Sequence, residues 1–95
     1  IWYNMIIIST GGDVIPVDFV VINNFADANL ENANFTNADL RYTNFDSANL
    51  ANANFSNANL SNANLDGVNL QGAILDNAIL SNASIKCKNH QICLN

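Results

Sequence analysis

The sequence has few of the residues on which nucleic-acid binding and catalysis usually depend. Lys and Arg together number 3 against 8 acidic residues, and His occurs once. Without a basic patch the chain has nothing to neutralise phosphates, so we expect no direct binding of nucleic acid. No Gly-rich phosphate loop and no catalytic constellation stand out. We therefore expect neither enzyme activity nor a cofactor.

Long apolar runs and cysteines are also scarce. The run Met5–Ile8 is too short to span a membrane, so no membrane span is expected. The two cysteines, Cys87 and Cys93, flank His90 and offer three soft ligands, whereas a structural zinc takes four. We favour a disulfide over free thiols and over a metal, because the spacing needs only a turn. A disulfide favours an exported protein, in the periplasm or thylakoid lumen, and free thiols a cytoplasmic one.

What the sequence does have is a five-residue period between Asn23 and Ile85. A large apolar residue recurs at every fifth position, and Ala stands two positions before most of them. On a helix, five residues return about 140° out of phase. On a continuous strand, an odd period moves each repeat to the opposite face. An extended piece followed by a corner, repeated, gives instead a coil with Ala, Leu and Phe inside.

The corners have their own composition. In a type II turn the third residue needs positive φ, which favours Gly and Asn. Most of these positions hold one of the two: Asn32, Asn37, Asn52, Asn57, Asn62, Gly67, Gly72, Asn77 and Asn82. We therefore predict mostly type II turns. Near Tyr42 and Ser47 we predict a different turn, because a bulky residue resists positive φ.

The order of Phe and Leu indicates the number of sides. Phe alternates with Leu in the first half of the repeat, so four sides per coil would stack like on like. The predicted core stacks are Phe25, Phe45, Leu65 and Ile85; Leu30, Leu50 and Leu70; Phe35, Phe55 and Leu75; and Leu40, Leu60 and Leu80. The outward Asn residues should then form ladders of hydrogen-bonded amides.

Units such as ADANL, ENANF, TNADL and SNANL resemble the pentapeptide repeat family, whose pattern is A(D/N)Lxx. The resemblance covers about two thirds of the chain and implies an all-β fold. That fold is a right-handed quadrilateral β-helix with four pentapeptides per coil. Members from cyanobacteria are common, so the resemblance makes such a source plausible. Thr43 and Val68 depart from the family at the Ala position, and Ile74, Ile79 and Ser84 at the Asn/Asp position.

Three regions follow from the pattern. Residues 1–24 are expected to form an N-terminal cap or a partly disordered lead-in. Residues 25–85 form the β-helix, and residues 86–95 a C-terminal cap that contains the Cys87–Cys93 loop. Outward-pointing Ile74 and Ile79 form a possible interface for a second copy. We slightly favour the alternative that the tail, with Ile92 and Leu94, folds back over them.

Three functions remain open. The first is a structural or protein-interaction module with a partner that the sequence does not identify, either monomeric or a weak homodimer. The second is mimicry of DNA by a binder of type II topoisomerase, which dense acidic rows would favour. The third is binding to a repetitive surface such as ice, which regular Thr rows would favour. Asn replaces Asp on most of the surface, and Thr is sparse, so the first is preferred.

The register makes a testable prediction about stability. Leu60→Ala removes a central core residue and should lower the free energy of unfolding by about 2–5 kcal/mol. Asn57→Ala changes only an outward corner and should cost about 1 kcal/mol, through its positive φ. Denaturant unfolding of both variants measures the two losses. Equal losses, or a larger one at Asn57, would show that the register is wrong.

Overall fold

The computed structural model of the chain describes residues 23–94, so the N-terminal cap predicted for 1–24 lies almost wholly outside the described residues. Within 23–94 there is no helix, and each extended element is a single bridged residue between two-residue turns. Every bridge is parallel. Successive coils therefore run in the same direction, and the chain forms a β-helical solenoid.

The bridged residues form four ladders. In each pair the partners lie 20 residues apart, except that Asn69 pairs with Lys88. We number the ladders in chain order. The first contains Asn24, Asn44, Asn64 and Ser84; the second Asn29, Asn49, Asn69 and Lys88; the third Asn34, Asn54 and Ile74; and the fourth Asp39, Asn59 and Ile79.

Each middle repeat satisfies all of its backbone N–H groups. In the unit 58–62, the N–H groups of Asn59, Leu60 and Asn62 donate to carbonyl oxygens of neighbouring coils at 2.7–2.9 Å. Ala58 donates across the preceding turn at 2.9 Å. The remaining N–H, of Ser61, donates to the Asn59 side-chain oxygen at 3.0 Å. Since unpaired backbone groups are costly, this accounting explains why a chain without long strands is stable as a coil.

The turns are more uniform than the sequence suggests. The third turn residue has positive φ throughout, including Tyr42 at 62° and Ser47 at 63°, as in Asn57 at 64°. The prediction of a different turn near Tyr42 and Ser47 is therefore wrong. The N–H of Tyr42 donates to Ser61 in the next coil at 3.1 Å, and that of Ser47 to Asp66 at 2.9 Å. These inter-coil bonds hold both residues in the conformation of their neighbours despite their local preference.

The interior is a column of stacked apolar side chains. The Phe25 and Phe45 rings are stacked with centroids 5.4 Å apart, and the Phe35 and Phe55 rings with centroids 5.1 Å apart. Phe45 also meets Phe35 and Phe55 edge to face, a favourable arrangement for aromatic rings. Beyond the phenylalanines the column continues with fully buried leucines: Leu40, Leu50, Leu60, Leu65 and Leu70. At the two ends, Phe25, Leu30, Leu75, Leu80 and Ile85 are only partly buried.

One buried polar group interrupts this column. Thr43 occupies an Ala position and is fully buried. Its Oγ1 has no hydrogen-bond partner among the described residues. An unsatisfied buried hydroxyl costs about 1–3 kcal/mol. Val68, at an equivalent position one coil later, is accommodated with no exposure, so the site tolerates a branched side chain of this size.

Thr43→Val should therefore stabilise the protein by about 1 kcal/mol or more, because it removes the unsatisfied hydroxyl and keeps the shape. Thr36→Val is the matched control. The Thr36 hydroxyl donates to Asn34 at the surface, so its loss should be neutral or mildly destabilising. Chemical denaturation of the two variants measures the difference. A loss of stability at Thr43 would mean that the hydroxyl has a partner.

Candidate functional site

The outward Asn residues of the ladders support the turns. Each Asn oxygen accepts the N–H of the residue two positions later, as in Asp46 to Asn44 at 2.9 Å and Ser56 to Asn54 at 2.9 Å. The carboxylate of Asp39 serves Arg41 in the same way at 3.3 Å. These side chains replace a backbone acceptor that the turn cannot supply. The sequence pattern indicated Asn at this position but not this bond.

Amide contacts along the ladders are also present. The amide of Asn44 donates to Asn24 at 3.4 Å, and that of Asn49 to Asn29 at 3.4 Å. The shortest such contact, from Asn89 to Asn69 at 2.9 Å, joins the C-terminal segment to the second ladder. Most of these distances are long for N–H···O bonds. The Asn surface is thus largely occupied by internal hydrogen bonds, with the turn bonds the stronger set.

Tyr42 is the most unusual residue on this surface. It is 48% exposed at a corner and carries positive φ, which Asn or Gly adopts in most other repeats. Left-handed backbone costs a non-Gly residue about 1–2 kcal/mol. Beside it, Arg41 and Asp39 form an exposed ion pair at 2.8 Å, and the hydrogen bond to Arg41 is the main cause that lowers the pKa of Asp39. Sequence reasoning noted Tyr42 only as a turn exception and did not identify it as a candidate site.

The C-terminal segment closes part of the solenoid. Cys87 and Cys93 form a disulfide with Cα atoms 5.0 Å apart, as predicted, so no thiol is left to bind a metal. Cys87 is buried against the core. Lys88 pairs with Asn69, and the carbonyl oxygens of Lys86 and Lys88 accept bonds from Gly67 and Leu70. The cap thus covers the ends of the first and second ladders.

His90 belongs to this cap rather than to the open surface. Its Nε2 lies 3.2 Å from the Ala73 carbonyl oxygen, and the N–H of Ile92 donates to Nδ1 at 3.3 Å. These contacts fit a neutral ring that carries its proton on Nε2. The imidazole takes the place of the backbone N–H that a further coil would donate to Ala73. The sequence analysis treated His90 as one arm of a possible metal site, and it missed this role.

An acidic residue anchors the entry to the cap. Asp66 accepts the Ser84 hydroxyl at 2.6 Å and the N–H of Lys86 at 2.9 Å with the same oxygen. The hydrogen bond from Ser84 is the main cause that lowers the pKa of Asp66, followed by the bond from Lys86. Both bonds favour the charged carboxylate. Asp66 therefore joins the third coil to the chain segment that leads into the disulfide.

Ile74 and Ile79 point outward at the end of the third and fourth ladders. Their exposed fractions are 42% and 47%, and Leu94 is 61% exposed. The tail therefore does not cover them, and that prediction is wrong. The N–H of Leu94 donates to Ile85, and Ile92 packs against the core, so the tail turns back across the capped side instead. The disulfide holds it there.

The described residues carry no sign of a metal centre or of a membrane helix. Among residues 23–94, no three His, Cys, Asp or Glu side chains are grouped so that they could hold a metal ion. The same residues include no helix long and apolar enough to cross a bilayer. The exposed features that remain for recognition are the Tyr42 corner and the apolar end formed by Ile74 and Ile79.

Comparison with known proteins supports the repeat assignment. The family model described as "Pentapeptide repeats (8 copies)" matches residues 24–57 and 43–82. A crystal structure of a pentapeptide repeat protein from the cyanobacterium Cyanothece 51142 is similar, at 37% identity and a TM-score of 0.61. That match covers 70% of this chain and 43% of the other. The chain thus spans less than half of this relative's length.

A pentapeptide repeat protein of the Arabidopsis thaliana thylakoid lumen is more distant, at 22% identity and a TM-score of 0.40. Its match covers 70% of this chain and 61% of the other. Among curated proteins none matches the chain. Since the family model covers more than half of the residues, the chain belongs to the pentapeptide repeat family.

Asp66 makes the stability of the cap depend on pH. Its pKa is lowered on folding, so its contribution is fully present above the unfolded value of about 3.9 and is lost as the pH falls through the folded value. Asp66→Asn should therefore be less stable than the wild type at neutral pH, and the difference should shrink below about pH 4. Thermal unfolding across this range measures it.

Ser84→Ala is the control for the cause of this effect. It removes the main hydrogen bond that lowers the Asp66 pKa. In that background, Asp66→Asn should show a smaller pH-dependent difference. An Asp66→Asn loss that is the same at every pH would contradict the linkage.

Proposed function

We propose that the chain is a non-enzymatic protein-interaction module, and that Arg41 and Tyr42 form the centre of its contact surface. The observation that carries the proposal is the conformation of Tyr42. A bulky, half-exposed residue occupies a left-handed corner where the repeat elsewhere mostly places Asn or Gly. Strained residues of this kind are found at binding sites, where the local cost is offset by function.

The chemistry of this corner suits a protein partner. Tyr and Arg are enriched among the residues that contribute most to protein interfaces. The Tyr42 ring offers apolar area with few rotatable bonds, and Arg41 offers donors that Asp39 occupies only in part. Because the surrounding backbone is fully hydrogen-bonded, both side chains stand on a rigid base, which lowers the entropic cost of binding.

We further propose that the solenoid is a right-handed quadrilateral β-helix with four pentapeptides per coil and mostly type II turns. The support is the number of bridge ladders, the 20-residue spacing of bridged partners and the positive φ of each third turn residue. The Cys87–Cys93 disulfide supports an oxidising compartment. In such a coil the Tyr42 corner lies at an edge between two flat sides, where a partner can reach it.

The other two functions have less support on this surface. Acidic residues do not form a continuous row, because Asp46 and Asp66 are the only acids that share a repeat position in successive coils among residues 23–94. Thr43 points into the core and is fully buried, so it cannot belong to an ice-binding row with Thr36. We therefore do not adopt DNA mimicry or ice binding.

The experiment separates binding from stability. Tyr42→Asn should raise the unfolding free energy by about 1 kcal/mol, because Asn accepts positive φ more readily. The same variant should lose the protein partner. The wild-type chain is immobilised, proteins of a cyanobacterial extract are passed over it, and each retained protein is purified and titrated calorimetrically against wild type and variant. At least tenfold weaker binding, about 1.4 kcal/mol, is expected for Tyr42→Asn.

Ser47→Asn is the matched control, since Ser47 has the same turn position and positive φ one repeat later. It should be stabilised similarly and should bind as the wild type does. If Tyr42→Asn is more stable but binds every retained protein unchanged, the Tyr42 corner is not the contact surface. If no protein is retained that free chain can displace, the interaction function itself is wrong.

A further inference from the structure

The cap leaves half of the C-terminal end without backbone partners. Among residues 23–94, several N–H and C=O groups at this end make no hydrogen bond, although their equivalents in earlier coils do. The donors are the N–H groups of Leu75, Asn77, Leu80, Asn82 and Ile85; the acceptors are the C=O groups of Ala78 and Ala83. They belong to the third and fourth ladders and the start of the next coil. We call the segment 75–85 the open edge.

The outward isoleucines lie at this same edge. Ile74 and Ile79 end the third and fourth ladders, whereas the ladders covered by the cap end in Ser84 and Lys88. An Asn at either position would bond the N–H two residues later, and within the described chain the N–H groups of Asp76 and Ser81 have no such acceptor. The isoleucines therefore give up a turn bond and expose apolar surface, where the coils below are polar.

The open edge also lacks the usual protection of a free sheet edge. Natural edges are shielded by Lys, Pro or bulges. The segment 75–85 contains one charged residue, Asp76, and no Pro or Lys, whereas Lys86 and Lys88 both lie on the capped half. Paired backbone groups and apolar side chains are thus available together only where the cap does not reach.

The pattern of donors and acceptors is self-complementary about Ile79. In an antiparallel pair centred on one residue, the C=O before it meets the partner's N–H after it, and the reverse. Ala78 offers such a free C=O and Leu80 such a free N–H. A two-fold axis at Ile79 therefore sets donor against acceptor twice, with complementary partial charges. We propose that the open edge pairs with the open edge of a second copy, end to end, to form a symmetric dimer.

The same register extends beyond the central pair. It brings the free N–H of Leu75 opposite the free C=O of Ala83 of the second copy, and it does so twice by symmetry. Ile79 faces its own symmetry mate in a non-hydrogen-bonded pair, in which Cα atoms lie about 4.5 Å apart and side chains are closest. No charged residue stands between Leu80 and Ile85 or at Ala78 and Ile79, so like charges do not oppose one another there. This association goes beyond the proposed function, since its partner is the chain itself.

The test uses the full chain with its native disulfide intact. Sedimentation velocity of the wild type over a wide concentration range should show a monomer–dimer equilibrium. Ile79→Cys should form a covalent dimer under mild oxidation, because residue 79 lies on the two-fold axis within disulfide reach. Peptide mapping should locate the bond between two residues 79. Asn59→Cys, the same ladder position one coil earlier, is the matched control and should remain monomeric on a non-reducing gel.

Ile79→Asn provides an independent variant that is expected to fold, because it restores the side chain that bonds the following turn in the earlier coils. It should weaken the dimer at least about tenfold without loss of thermal stability of the monomer. A wild type that stays monomeric at all concentrations would overturn the proposal. So would polymers that grow with concentration, which indicate head-to-tail stacking, equal cross-linking of Asn59→Cys, or an Ile79→Asn dimer as tight as the wild type.

Discussion

The hydrogen bond between each central N–H and a carbonyl oxygen 19 residues later is the interaction on which the rest of the structure depends. It recurs from Phe25 to Leu65 at 2.7–2.9 Å, and it fixes the length of a coil. With that length fixed, each large apolar residue stacks on its equivalent in the next coil, and each corner repeats. The core is thin, so an error of one residue would turn every following side chain outward.

This constraint explains why so polar a sequence forms a stable column. Three of the five N–H groups in a repeat bond to neighbouring coils, one closes the turn, and the Asn side chain accepts the last. The Asn surface is therefore mostly part of the scaffold. The residues that depart from the repeat are then the ones to which recognition can be assigned: Tyr42 at a corner and the outward isoleucines at one end.

The C-terminal cap divides the end of the solenoid into two unlike halves. One half has its backbone satisfied by the segment that contains Cys87, with His90 bonded to Ala73 in place of a further coil. The other half keeps free donors and acceptors beside Ile74 and Ile79. The disulfide is what makes the division definite, because it returns the chain towards Ile85 before it reaches the third ladder.

Much of this protein follows from its sequence. The five-residue period, the inward Ala, Leu and Phe positions and the pairing of the two cysteines could be predicted because each depends on local spacing that recurs or closes a short loop. The conformation of Tyr42 could not, because inter-coil hydrogen bonds outweigh its local preference. Nor could the path of residues 86–94, where the repeat has ended and pairing is one residue short, at Asn69 with Lys88. Only the tertiary structure decided which ladders the cap covers, since that depends on how a non-repeating tail packs on the last coil.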